Sequence, residues 1–135
     1  MIVTTVKVSQ STIKDTINRS IKVLGDKCNL NFIDTELITS MHSMFDRSKF
    51  NGDISNWDVR NVTDMRYMFM NAKFNGGISN WDVENVTNMR FMFYDSKFNG
   101  DISSWDVGNV TDMSFIFDNS EFNGVISNWN VENVN

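Results

Sequence analysis

Apolar and polar positions along this chain recur together with a period of 24 residues. Residues 50–73 read FNGDISNWDVRNVTDMRYMFMNAK, residues 74–97 read FNGGISNWDVENVTNMRFMFYDSK, and residues 98–121 read FNGDISSWDVGNVTDMSFIFDNSE. Residues 122–135, FNGVISNWNVENVN, begin a further copy. Phenylalanine recurs at 50, 74, 98 and 122, and tryptophan at 57, 81, 105 and 129. A unit this short cannot bury its own apolar face, but stacked neighbours can bury one another's, so the pattern predicts a solenoid. A degenerate copy precedes the array at 32–49, FIDTELITSMHSMFDRSK. There Ile33 takes the tryptophan position, and Ile38, Met41, Met44 and Phe45 take those of Val62, Met65, Met68 and Phe69. The organisation expected is an N-terminal cap over 1–31 and a repeat solenoid over 32–135.

Within one unit, Trp57 and Val59 show the period of two of a short parallel strand. Val62, Met65, Met68 and Phe69 follow at spacings of three, three and one, which predicts about two turns of α- or 3₁₀-helix. Asn61 or Thr63 is placed to cap that segment. The Asn-Gly pairs at 51–52, 75–76, 99–100 and 123–124 mark a corner where glycine is expected to supply positive φ. The fold class read from the pattern is an α/β-type solenoid. A β-helix with no helical side is the alternative, because short apolar runs fit both.

Ahead of the repeats, residues 2–8, IVTTVKV, read as a strand. Residues 12–24 read as an amphipathic helix with Ile13, Ile17, Ile21 and Leu24 on one face. Thr12 with Asp15 has the form of a capping box, and Gly25 is a helix stop. A cap over the first coil is the simplest role. A docking or membrane-surface helix is disfavoured, since Lys14, Arg19 and Lys22 against Asp15 make only a weakly basic face.

Charge changes the picture of partners. The 135 residues carry 17 acidic and 12 basic side chains, a net charge of −5. Residues 1–49 are net positive and residues 50–135 net negative, so the acidic surface belongs to the repeats. That balance argues against nucleic acid, which needs a basic face. No apolar run reaches the ~18 residues of a membrane span, and the first residues lack the order of a signal peptide. One cysteine, Cys28, excludes an intrachain disulfide, and one histidine, His42, removes most histidine-based catalysis.

The polar columns read as structural. Asp53 and Asp101, then Asp58, Asp82 and Asp106, then Asp64, Asn88 and Asp112 each recur at one position. Their simplest role is to accept hydrogen bonds from backbone N–H groups at corners, and no calcium-loop spacing accompanies them. Carboxylates in a column meet glycosidase distances by accident of the repeat, so no catalytic residue is assigned and no enzyme is expected. Asn61, Asn85, Asn109 and Asn133, and Asn51, Asn75, Asn99 and Asn123, read as ladders that satisfy corner backbone. The sequons at Asn61, Asn85 and Asn109 come with the repeat and carry little signal. The methionine column reads as core rather than a metal site. No cofactor and no metal is implied.

Positions that vary between copies are the better candidates for recognition. Tyr67, Phe91 and Phe115 lie beside the apolar face, Arg66 and Arg90 precede the first two, and Tyr94 stands where Met70 and Asp118 stand in neighbouring copies. Aromatics and arginine dominate binding hot spots. Lateral packing within the coil is the competing reading. At the other end, Ile126, Trp129, Val131 and Val134 form an edge without evident cover, a candidate surface for a two-fold homodimer.

The unit F-N-x-D-I-S-x-W-D-V-x-N-V-T-x-M-x-x-M-F, carried over residues 50–135 and in its second half at 34–45, resembles a bacterial surface-protein repeat of unknown function. That repeat is abundant in mycoplasma lipoproteins and in leucine-rich-repeat proteins of the Treponema and Bacteroides surface-antigen type. The resemblance implies a right-handed, leucine-rich-repeat-like solenoid with a parallel sheet on one face. It also implies adhesion or protein recognition at the cell surface or outside the cell. No catalytic residue is part of the motif. The expectation is therefore a non-enzymatic interaction or adhesion module with a protein or glycan partner. The alternatives are a scaffold or self-assembling segment, and an acidic mimic that binds a basic partner.

Overall fold

A computed structural model describes residues 4–135. Residues 1–3, part of the strand expected over 2–8, lie outside the described residues. Strand β1 is Val6–Lys7 and pairs in parallel with β2, Ile33–Asp34. Between them helix α1 spans Ile13–Leu24. Its apolar face is used unevenly: Ile13 and Ile17 are buried, Ile21 is half-buried, and Leu24 is 56% exposed.

The helix starts and stops by different means. The capping box does not form, because the Thr12 hydroxyl accepts from the Ser9 N–H at 2.9 Å and Asp15 pairs with Arg19 one turn on. Gly25 ends the helix at φ 95°, its N–H donating to the Ile21 carbonyl at 2.7 Å.

Backbone hydrogen bonds join each repeat to the next at equivalent positions. Isolated parallel bridges link Ser40 to Asp64, Asp64 to Asn88, and Asn88 to Asp112. Another links Asn29 to Asp53, and the Asn51 N–H donates to the Asp26 carbonyl at 2.7 Å, so this ladder reaches back before residue 32. The strand expected at Trp57 and Val59 is not there. Turns occupy that stretch, with Trp57 N–H donating to Ile54 and Val62 N–H to Val59.

The expected helical segment is also absent. Met65, Tyr67, Phe69 and Asn71 donate their N–H groups to the carbonyls of Asn88, Arg90, Met92 and Tyr94 in the next repeat, at 2.7–3.0 Å. Met68, Met70 and Ala72 donate instead to the residues three before them. A helix would direct all of these groups inward along the segment. Here alternate groups serve the neighbouring repeat, and the chain turns between them through left-handed residues, Tyr67 at φ 58° and Asn71 at φ 51°. The same conformation recurs at Phe91, Asp95, Phe115 and Asn119, and earlier at Ser43 and Arg47. Asn61 and Thr63 therefore have no helix to cap.

The corner glycines serve close approach rather than positive φ; Gly25 alone has positive φ among the described glycines. A Cβ on Gly52 would stand 1.8 Å from the Cys28 carbonyl oxygen, and one on Gly76 would stand 2.7 Å from the Phe74 ring. Glycine lets the corner pass over its own phenylalanine and against the preceding repeat.

Three ring columns form the core. Phe45, Phe69 and Phe93 stack with centroids 5.6 Å apart, Phe50, Phe74 and Phe98 at 6.1 and 6.3 Å, and Trp81 and Trp105 at 6.5 Å. Each indole N–H donates to a carbonyl of the preceding repeat, Trp57 to Leu30, Trp81 to Ile54, Trp105 to Ile78 and Trp129 to Ile102, at 2.9–3.1 Å. The columns thus satisfy their one polar group while burying large apolar rings. Met41, Met65, Met89, Met68 and Met92 fill the space between them and are fully buried.

Gln10 stands where a preceding repeat would. In the array, Thr63 N–H donates to the Thr39 carbonyl and the Asp64 carbonyl accepts from Met41 N–H. At the first repeat, Thr39 and Ser40 N–H donate to Gln10 Oε1 at 3.2 and 3.0 Å, and Gln10 Nε2 donates to the Ser40 carbonyl at 2.7 Å. Lys14 Nζ adds a bond to the Ser43 carbonyl at 3.0 Å.

Candidate interaction surface

The left-handed turns place one residue of each repeat, Tyr67, Phe91 and Phe115, outside the core columns. Their rings stack on one another at 5.1 and 4.8 Å. Tyr67 and Phe91 are half-buried, and Phe115 is 53% exposed. Tyr94 meets Phe91 edge-on at 5.2 Å. A bulky side chain in the left-handed region is uncommon and strained, by roughly 1–2 kcal/mol per residue. At Tyr67 and Phe91 the N–H of the same residue donates to the next repeat and holds it there.

The arginines flank this stack in two ways. Arg66 holds Asp64 through Nε, at 3.0 and 3.1 Å from its two oxygens, and through Nη2 at 2.7 Å. Arg90 Cζ lies 5.0 Å from the Phe91 centroid and 5.8 Å from that of Phe115, a cation–π position over both rings, with Asp112 4.0 Å away. Burial works to raise the Asp64 carboxyl, but the Arg66 hydrogen bonds outweigh it and hold the group below its ordinary value of 3.8. Asp112 is lowered chiefly by the Ser114 hydrogen bonds. All six candidate residues, Arg66, Tyr67, Arg90, Phe91, Tyr94 and Phe115, therefore fall on one stripe. His42 joins it, its ring tilted at 53° to that of Tyr67 with centroids 5.6 Å apart. It occupies the position of Arg66 and Arg90 in the degenerate copy.

Elsewhere the polar columns are engaged with the backbone. Asp58, Asp82 and Asp106 each accept from the N–H two residues on, at 3.0–3.2 Å. Asp53 and Asp101 accept both the N–H and the hydroxyl of Ser55 and Ser103, which lowers both carboxyls. Asn61, Asn85, Asn109 and Asn133 each donate Nδ2 to a carbonyl of the preceding repeat at 2.7–2.9 Å. Among the described residues no group of three or more His, Cys, Asp or Glu side chains is placed to hold a metal ion.

The candidate self-association edge is mixed. Val131 is 50% exposed, Ile126 is also exposed and Val134 is half-buried. Trp129 is 8% exposed, since it packs on Trp105 and Phe117 within the core column. Beside this edge the N–H groups of Met113, Phe115, Phe117 and Asn119, equivalent to those that join the inner repeats, have no acceptor among the described residues.

No helix among the described residues is long and apolar enough to cross a membrane. Comparison with known proteins gives one family, described as a Mycoplasma protein of unknown function, DUF285, which matches residues 15–117 and again 73–135. No curated protein matches the chain, and no solved structure matches it. Two overlapping matches that together take in the helix, the degenerate copy and the whole repeat array place this chain in the Mycoplasma family of unknown function DUF285.

Proposed function

We propose that this chain is a non-enzymatic interaction module, a right-handed, leucine-rich-repeat-like solenoid whose 24-residue coils are built from turns and parallel bridges, under an N-terminal strand–helix cap. In this reading it belongs with the surface-antigen repeats of Treponema and Bacteroides and works at or outside the cell surface. Its stripe of Tyr67, Phe91, Phe115, Tyr94, Arg66 and Arg90 contacts a protein or glycan partner. The observation that carries the reading is a contrast between columns at one pitch. Positions in the phenylalanine and tryptophan columns are identical in every full copy and, apart from the half-buried Phe117, buried, whereas the stripe positions differ between copies and reach the surface. A stacked array held by its core is free to vary its outer row, and aromatic and arginine side chains are the residues that concentrate binding energy.

The test compares the parent chain with an Arg90→Ala/Phe115→Ala variant for binding to intact cells and to immobilised extracellular proteins and glycans. Loss of binding by a variant that keeps the parent melting temperature supports the reading. Equal binding by both overturns the stripe as the contact surface.

A second reading, a self-assembling scaffold, is favoured by the exposed Val125, Ile126 and Val131 beside the open N–H row. A tail-to-tail pair would set two donor-rich rows against each other, so apolar contact would have to carry it. Light scattering across a concentration series, with Val131→Lys as the probe, decides. Concentration-dependent growth abolished by the substitution supports assembly through this edge.

A further inference from the structure

Four Asn-Gly pairs stand at equivalent corners, 51–52, 75–76, 99–100 and 123–124. This dipeptide is chemically fragile, because glycine leaves its backbone nitrogen open to attack the preceding carboxamide. The Gly nitrogen gives up its proton and bonds to the Asn side-chain carbonyl carbon. The carboxamide nitrogen leaves as ammonia, and a succinimide closes. Water then opens that ring at either carbonyl and yields aspartate or isoaspartate. Nothing is oxidised or reduced, and solvent water is the only co-reactant.

The attack requires the Asn carboxamide to swing toward its own glycine, and three of the four are held elsewhere. Asn51 Oδ1 accepts from the Asn75 N–H at 2.8 Å, Asn75 Oδ1 from the Asn99 N–H at 2.7 Å, and Asn99 Oδ1 from the Asn123 N–H at 2.7 Å. Among the described residues no hydrogen bond reaches the Asn123 carboxamide. The surrounding backbone differs in the same sense. Gly52, Gly76 and Gly100 are half-buried, whereas Gly124 is exposed. A groove of about 440 Å³ opens between Asn99, Asp101 and Ser103 on one side and Asn123, Gly124 and Val125 on the other, which admits the water that the second step consumes.

We propose that the asparagine ladder protects Asn51, Asn75 and Asn99 from spontaneous deamidation through a succinimide in the folded chain, and that within residues 1–135 Asn123, whose carboxamide no ladder donor reaches, is the corner that reacts. The modification adds a negative charge and, as isoaspartate, an extra backbone methylene at that corner.

The full chain is aged at mildly alkaline pH in heavy-oxygen water, and each Asn-Gly peptide is followed by mass mapping. Incorporation at 123 is expected to run roughly tenfold faster than at 51, 75 or 99, the ratio of a barrier difference worth one decade. In denaturant the four sites should react at similar rates, since their local sequences are nearly the same. A chain extended by a second copy of residues 112–135 would place a donor over Asn123 and should slow it to the rate of the others. Equal rates at all four sites in the folded chain, or an extension that leaves Asn123 as fast as before, would overturn the proposal.

Discussion

Two kinds of ring column run through this molecule at nearly the same spacing, and they do different work. Phe45, Phe69 and Phe93 stack at 5.6 Å and are fully buried. Tyr67, Phe91 and Phe115 stack at 5.1 and 4.8 Å and reach solvent. The pitch is common to both because the backbone ladder sets it, through N–H groups directed at the next repeat. What differs is the environment. The inner columns lose water from both faces and edges, whereas the outer one keeps its edges wet and sits on left-handed backbone. Stacking alone, worth about 0.5–1.5 kcal/mol per pair beyond area burial, does not hold the array together. Burial does, and that leaves the outer row free to differ from copy to copy.

The comparison breaks most visibly in the inner columns. Trp81→Ala should cost about 3–5 kcal/mol by denaturant melting, since it opens a cavity between Phe69 and Trp105 and leaves the Ile54 carbonyl without its indole donor. A loss below about 1 kcal/mol would mean that the column is not core. Gly52→Ala should cost about 1–3 kcal/mol or more, because the new methyl meets the Cys28 carbonyl, which cannot yield without moving the backbone that precedes the first repeat.

The outer row should behave otherwise. Phe115→Ala is expected to cost no more than about 1 kcal/mol, and Phe115→Gly to melt above Phe115→Ala, because glycine relieves the φ of 58° that alanine retains. If alanine proves the more stable of the two, the left-handed turn is not present in solution.

Acid should sharpen the contrast further. Asp64 is held below its ordinary carboxyl value, so the stability it contributes is fully present above the unfolded pKa and is lost as pH falls through the folded one. Below roughly pH 4 the Tyr67 and Phe91 ring resonances should shift while those of Trp81 and Trp105 stay, and Asp64→Asn should blunt that shift. Movement of all rings together would deny that the stripe titrates independently of the core.

Much of this was legible in the residues. The period, the phenylalanine, tryptophan and methionine columns, the helix with its Gly25 stop, and the two asparagine ladders all follow from what a repeat must bury and satisfy. Other features escaped. The spacing of Val62, Met65, Met68 and Phe69 suits a helix, but it also suits a chain that turns every second residue, and periodicity records only which side faces inward. The left-handed positions carry Tyr, Phe and Asp as well as Asn, so the usual glycine signature is missing there. The corner glycines look like turn formers, although what they answer is contact with a neighbouring repeat, which lies far away in sequence. The Gln10 cap is a single polar side chain reaching across 29 and 30 residues, and nothing in its local surroundings announces it.

The central claim is that each repeat hydrogen-bonds to the next through alternate residues of its turn segment. Residue-resolved amide hydrogen exchange tests it most directly. Met65, Tyr67, Phe69 and Asn71, with Met89, Phe91, Phe93 and Asp95, should be strongly protected, while the equivalent Met113, Phe115, Phe117 and Asn119 exchange fast. Uniform protection across all three segments would contradict the account.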